Sequence, residues 1–257
     1  MGDVVANNPE DRNPVKAKGS AYFHDGVDCS GCTADDRPST NDQAAAFVTF
    51  SEISEQTYGP VVTPCFTPGT LIATPKGERR VEDLVAGDRV ITRDNGIQDI
   101  RWVGRRTLDG EGLKQAPHLQ PVLIQQGALG FDLPERDMMV SPDHRMLVAN
   151  DKTALHFEER EVLVAAKHLT GMAGVDAVVT TTVTYIHFMF DRHEIVLSDG
   201  SWTESFQPDD ITLRGLDKAQ RDEIVDLFPD LKSDLGRGVY IVARRSLNRR
   251  EARLLVH

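Results

Sequence analysis

From Cys65 onward the sequence consists of apolar runs too short for helices, each closed by turn residues: "TLIAT", "RVITRDNGIQDIRWVG", "PVLIQQ", "DMMVSPDHRMLVA", "EVLVAA" and "DAVVTTTVTYIHFMF". Runs of roughly four to eight apolar residues bounded by Gly, Pro, Asn and Asp read as strands, so an all-β domain is expected over residues 65–206. Asn95-Gly96 and Asp199-Gly200 each lie between two such runs, and both pairs tolerate the positive φ angles of a tight two-residue hairpin turn. In "VVTTTVTYIHFMF" side chains alternate across the strand. Ile186, Phe188 and Phe190 fall on one face, and Val183, Tyr185, His187 and Met189 on the other. This strand is long enough to be central. After Gln207 the period changes: Ile224, Leu227 and Phe228 recur at helical spacing before Pro229, and "SLNRREARLLV" reads as a basic terminal helix. Residues 207–257 are therefore expected to form a short helical extension.

Residues 1–64 differ in kind. They carry ten acidic and four basic side chains, −6 of the chain's −11, with Pro, Asp, Asn and Gly scattered among few apolar residues. Such a segment is expected to be loosely structured, apart from a short element in "DQAAAFVTFSEIS". The net charge of −11 offers no basic surface to track phosphates, which argues against nucleic acid and anionic membranes as partners. The first residues lack the apolar stretch of a secretory signal, and no later run reaches transmembrane length. A cytoplasmic location, or export by a signal that is not N-terminal, fits both observations.

Three cysteines are too few for a disulfide framework, and their odd number leaves at least one without an intrachain partner. Cys29 and Cys32 form a C-x-x-C pair, open to reading as a local disulfide, a redox pair, half of a metal site with His24, or two surface thiols. The last is preferred, and no metal or cofactor is expected. Cys65, set between "TP" and "FTP", reads either as a buried structural thiol or as a nucleophile.

Two further places carry possible chemistry. In "VSPDH" Pro142 forces a turn that brings the Ser141 hydroxyl and the His144 imidazole towards one point, where a peptide group can be held and its nitrogen protonated; the alternative is a hairpin corner with an exposed histidine. In "FDRHEIVLSDG" Asp191 and His193, two apart at the end of the long strand, share a face, so the carboxylate can orient the imidazole; the alternative is a salt-bridged strand end. His118, His156, His168, His187 and His257 have no comparable setting and receive no role.

Taken together, these blocks resemble the hedgehog/intein (Hint) superfamily, in particular its bacterial members. "CFTPGTLIATPKGERRVEDLVAGDRV" is similar to the N-terminal block, with Val81, Leu84, Gly87, Asp88 and Val90 carrying the V-x-x-L-x-x-G-D-x-V segment. "VSPDH" resembles the T-x-x-H block with Ser141 for threonine, and "FDRHEIVLSDG" resembles the late strand pair that returns an Asp and a His to the cysteine.

The resemblance implies a pseudo-twofold β horseshoe that processes itself. Cys65 would attack the carbonyl of Pro64 in an N-to-S acyl shift, with Ser141 holding the scissile group, His144 protonating the amide nitrogen, and Asp191 and His193 assisting. The substrate would be the chain's own residues 1–64, and water or a small nucleophile the acceptor. The alternative is a fold that has lost cleavage and serves as an interaction or maturation module. Three departures refine this expectation. There is no His-Asn pair to cyclise, so splicing is not expected. "RWVGRRTL" offers Gly104, Arg105 and Arg106 where the sterol-transferring members carry an aspartate, so sterol transfer is not expected. Pro64 stands where glycine usually precedes the nucleophile.

Overall fold

The computed structural model describes residues 63–233, 240 and 242–256. The expectations for residues 1–62, including the Cys29–Cys32 pair and the short element near Ala44, lie outside the described residues. Strands dominate, and the helices are short. In chain order the strands are β1 (Leu71–Thr74), β2 (Gly77–Arg80), β3 (Arg89–Thr92), β4 (Gly96–Asp99), β5 (Trp102–Asp109), β6 (Val122–Ile124), β7 (Met138–Val140), β8 (Arg145–Val148), β9 (Val162–Ala165), β10 (Val175–Ala177), β11 (Thr182–Met189), β12 (Ile195–Ser198), β13 (Ser201–Glu204) and β14 (Ser246–Leu247). The helices are α1 (Gly110–Gln115), α2 (Asp151–Phe157), α3 (Ala166–Leu169), α4 (Asp210–Gly215), α5 (Lys218–Leu227) and α6 (Arg249–Val256). No helix among the described residues is long and apolar enough to cross a membrane.

A nine-stranded sheet runs β14-β9-β8-β13-β12-β1-β2, with β3 pairing to β12 and β4 to β3. A three-stranded sheet, β10-β6-β7, and a two-stranded ribbon, β11-β5, complete the set. The ribbon is the longest pairing, eight residue pairs from Thr182↔Asp109 to Met189↔Trp102. Phe66 joins the two smaller sheets by bridging Val140 on one side and Ile186 on the other. Its N–H donates to the Ile186 carbonyl at 2.8 Å and its carbonyl accepts from the Ile186 N–H at 2.9 Å. The chain entering at Thr63 is thereby held as an extra extended segment between β7 and β11.

The alternation expected in the long strand is present. Ile186, Phe188 and Phe190 pack with Phe66, Ile72, Val81, Leu84 and Val90, whereas Val183 and Tyr185 pack with Cys65, Leu108, Leu113 and Leu119. Phe66 and Phe188 stack with centroids 5.4 Å apart, and burying each ring contributes about 1.5–3 kcal/mol. The "VEDLVAGD" segment seals this core: Val81 and Leu84 are fully buried, and the Asp88 carboxylate accepts from the Val85 N–H at 2.9 Å while pairing with Arg79 at 2.7 Å.

Of the two expected hairpin turns, one has the expected length. Asp199 and Gly200, with φ of 44° and 77°, link paired Ser198 and Ser201, as a two-residue turn with both residues left-handed requires. The other hairpin is one residue longer. Thr92 pairs with Gly96, so the loop is Arg93–Asn95, and Gly96 supplies the positive φ of 68° beyond it. The Thr92 hydroxyl closes the loop by donating to the Gly96 carbonyl at 2.8 Å.

The helical reading of the C-terminal part holds for α5 and for Arg249–Val256, whereas Ser246 and Leu247, the start of "SLNRREARLLV", form strand β14 instead. Asp217 caps α5 by accepting from the Gln220 N–H at 2.9 Å. Ile224 is buried with Leu213, Leu216 and Leu231 against Trp102, Met189 and Phe206. In α6, Ala252 and Leu255 complete the core formed by β6 to β9.

Candidate functional site

The site is assembled where the Thr63–Phe66 segment passes between β7 and β11. The Ser141 N–H donates to the Cys65 carbonyl at 3.0 Å, fixing the register. The Ser141 hydroxyl then does two things. Its oxygen accepts from the Cys65 N–H at 2.9 Å, and its proton is donated to the Thr63 carbonyl at 2.7 Å. One side chain therefore grips the backbone on both sides of Pro64, and the amide nitrogen of the Pro64–Cys65 bond is one of the atoms held. Ser141 itself is fully buried.

The turn expected after Ser141 forms, with the His144 N–H donating to the Ser141 carbonyl at 3.0 Å. The imidazole lies edge-on against the Phe66 ring, centroids 4.4 Å apart. It is fully buried, and neither ring nitrogen has a hydrogen-bond partner among the described residues. Burial pushes its pKa down to about 4, with Glu204 only partly opposing. His144 is thus a neutral ring against Phe66, the residue that follows Cys65.

The Cys65 thiol, 2% exposed, faces a residue to which the sequence reading assigned no role. His187 Nδ1 lies 3.2 Å from Sγ. The Thr63 carbonyl at 3.2 Å and the Thr63 hydroxyl at 3.1 Å complete the surroundings of the sulfur. Burial pushes the thiol up to about 12, against smaller opposing effects of Thr63, Ser141 and the Arg106 guanidinium. Burial also pushes His187 down to about 4, beyond what Gln220 and Asp217 restore. At neutral pH the pair is therefore S–H beside neutral imidazole, with the Thr63 carbonyl and, in the Nε2–H tautomer, His187 Nδ1 both within reach of the thiol proton.

The packing of His187 is specific. Its ring stacks on Trp102 at 5.1 Å and lies 5.3 Å from Phe206. Directly across the ribbon is Gly104. A Cβ there would stand 2.3 Å from Trp102 Cη2 and 2.4 Å from His187 Nε2, so both rings require glycine at this position. The strand alternation already put His187 on the face of Val183 and Tyr185. Which chain segment meets that face depends on the Phe66 bridge and the β5–β11 register, neither of which is local in sequence.

The expected Asp191–His193 partnership does not form. β11 ends at Met189 and residues 191–192 bend, so strand alternation no longer governs where these two side chains point. Asp191 is 70% exposed and pairs with Arg101 at 3.2 Å, away from the buried cysteine. His193 turns inward. Its Nδ1 accepts from the Ala243 N–H at 3.1 Å, which leaves the ring proton on Nε2, 3.4 Å from Glu204 Oε2. The carboxylate that orients His193 is thus Glu204, a fully buried residue that the sequence reading did not single out. Glu204 also accepts from the Arg145 backbone N–H at 2.8 Å and from its guanidinium at 2.9 Å. Burial alone would raise the Glu204 pKa, but Arg145, His193 and His144 together hold it below the usual carboxylate range. Through Arg145, Glu204 anchors the residue next to His144.

Beside Cys65 lies a cavity of about 20 Å3, lined by residues that include Thr63, Arg106, Tyr185, His187, Leu216 and Gln220. The described residues contain no cluster of metal-ligating side chains.

A family model described as "Hint domain" matches residues 64–210. Among solved structures, the bacterial intein-like domain from Clostridium thermocellum aligns at 16% identity over 55% of this chain and 97% of its own, with a TM-score of 0.39. The gp41-1 intein aligns at 9% identity over 55% and 97%, with a TM-score of 0.33. No protein of curated function matches. The family model spans more than half of the length, and this chain belongs to the Hint domain family.

Proposed function

We propose that this Hint domain cleaves its own chain at Pro64–Cys65 by an N-to-S acyl shift, without splicing. The observation that carries the reading is the pairing of two grips on one peptide bond: Ser141 on its nitrogen at 2.9 Å and a thiol–imidazole contact of 3.2 Å at the adjacent sulfur.

In this mechanism His187 Nδ1 takes the Cys65 thiol proton as Sγ adds to the Pro64 carbonyl carbon. The C–N bond then breaks, the α-nitrogen of Cys65 gains one proton, and a thioester joins Pro64 to Cys65. The step is proton-neutral overall, so a neutral His187 suffices as base. Ser141 keeps the departing nitrogen aligned, His144, packed on the Phe66 ring next to Cys65, takes the role of proton relay to that nitrogen, and Arg106 supplies positive charge near the sulfur. Each such group lowers the barrier by about 2–4 kcal/mol. Glu204 and His193 position the His144 turn through Arg145. Attack by water on the thioester then releases residues 1–64. Asp191 has no part in this scheme. Splicing has no support, because "SDGSWTESFQPDD" contains no asparagine to cyclise.

A second reading, a cleavage-inactive module, is favoured by one observation: burial holds the thiol at about 12, a quiescent value for a nucleophile. The two readings separate in a time course of intact mass on purified full-length protein beside Cys65→Ala. Self-cleavage predicts a fragment of residues 65–257 from the wild type alone. The inactive reading predicts two full-length chains.

A further inference from the structure

We propose that the cavity beside Cys65 is the acceptor site of the cleavage reaction, sized for water or a comparably slight nucleophile such as hydroxylamine, and that Leu216 and Gln220 of the C-terminal extension form the wall that excludes bulky acceptors. This inference rests on the reading of Cys65 as nucleophile.

Three observations point to it. The cavity is lined by Thr63, Cys65 and His187 together with Gly215, Leu216 and Gln220, so the extension contributes wall to the space beside the sulfur. Its volume of about 20 Å3 admits about one water molecule. The wall is also held to the catalytic ribbon rather than resting loosely on it. Arg106 donates to the Gly215 carbonyl at 3.2 Å, Gln220 donates to the Arg105 carbonyl at 2.8 Å, and Trp102 Nε1 donates to Glu223 at 2.8 Å. Leu216 and Ile224 bury themselves against Trp102 and Phe206, and these same two rings pack against His187. The residues that fix the base therefore also fix the wall. Thr63, Arg106, Tyr185, His187 and Gln220 in the lining give the cavity polar groups for a small polar guest.

The chemistry balances with water alone. The water oxygen bonds to the Pro64 carbonyl carbon while one water proton passes to His187 Nδ1. The C–S bond breaks, and that proton moves from Nδ1 to the leaving Sγ. The products are a carboxyl group on Pro64 and the restored Cys65 thiol, and His187 ends as it began.

The test uses full-length wild type, Leu216→Ala and Gln220→Ala, each incubated with hydroxylamine or with glutathione, and reads the mass of the released N-terminal fragment. The wild type is expected to give carboxylate and hydroxamate. The fraction ending as glutathione thioester should rise at least tenfold in either variant; Gln220→Ala serves if the loss of Leu216 unfolds the extension. Equal glutathione capture by wild type and variants would overturn the inference while leaving self-cleavage standing. Labelling Cys65 with methanethiosulfonates of graded size, scored on the Cys65 peptide, does not depend on cleavage. The wild type should discriminate against bulky reagents at least tenfold more than the variants, and equal labelling would overturn the wall. If no chain cleaves while the labelling discriminates, the self-cleavage reading fails and the acceptor role fails with it, leaving a size filter over a thiol.

Discussion

Two buried neutral histidines beside the junction make the folded state sensitive to mild acid, and the sensitivity has a calculable size. His144 and His187 have folded pKa values of about 4 against an ordinary 6.5. A histidine whose pKa is lowered by folding binds its proton first in the unfolded chain, so stability falls as pH drops from 6.5 towards 4. Between pH 7 and pH 5 each ring contributes a loss of about 1.8 kcal/mol, and both together about 3.6 kcal/mol. Their exposures of 0% and 2% leave no solvent to soften the effect. The loss is a large part of the 5–15 kcal/mol that typically holds a domain together. The lowered carboxylates, Asp88, Glu161, Glu204 and Glu251, exert their effect mostly below this window. Urea unfolding of wild type and His187→Asn at pH 7 and pH 5 measures the effect. The two rings should supply about 3.6 kcal/mol of the wild type's loss, and the variant should lose about 1.8 kcal/mol less than the wild type, whatever its absolute stability. A variant that loses as much as the wild type would refute the account of His187 as a ring held neutral by burial.

Other changes probe the same site from different sides. Gly104→Ala places a methyl within 2.4 Å of His187 Nε2 and 2.3 Å of Trp102, and should cost about 1–3 kcal/mol by overpacking while shifting the His187 ring resonances in NMR. Ser141→Ala leaves the Cys65 N–H and the Thr63 carbonyl without their present partner; cleavage should slow about 100-fold in a mass-detected time course, with a loss of about 1–3 kcal/mol in stability. Asp191→Asn removes an exposed charge paired to Arg101 and should leave the cleavage rate within about twofold.

The legibility of this molecule in its sequence follows how local each signal is. Strand runs, the Asp199-Gly200 turn, the α5 helix and the two faces of β11 depend on neighbours a few residues apart, and the sequence shows them. The Ser141–Pro142 turn is equally local, and it does bring Ser141 to the Cys65 nitrogen. The Asn95 hairpin misled by one residue, because the Thr92 hydroxyl closes a three-residue loop that the Asn-Gly pair does not announce. The pairing of Asp191 with His193 relies on strand alternation, which stops at Met189. His187 carries no local signal for the opposite reason: a histidine in an apolar strand looks like core until Phe66 is known to lie beside that strand. Its requirement for Gly104 is a contact between residues 83 positions apart, settled by the β5–β11 register. Glu204 acquires its partners Arg145 and His193 from β8 and the bend after β11, again by tertiary packing.

The central claim is a thioester between Pro64 and Cys65, and hydroxylamine capture tests it most directly. Full-length wild type and Cys65→Ala are incubated with hydroxylamine at neutral pH, and the released fragment is identified by mass. The account predicts a fragment of residues 1–64 bearing a hydroxamate on Pro64, together with residues 65–257, from the wild type only. Full-length wild type after prolonged incubation, or release of the same fragment from Cys65→Ala, would contradict it.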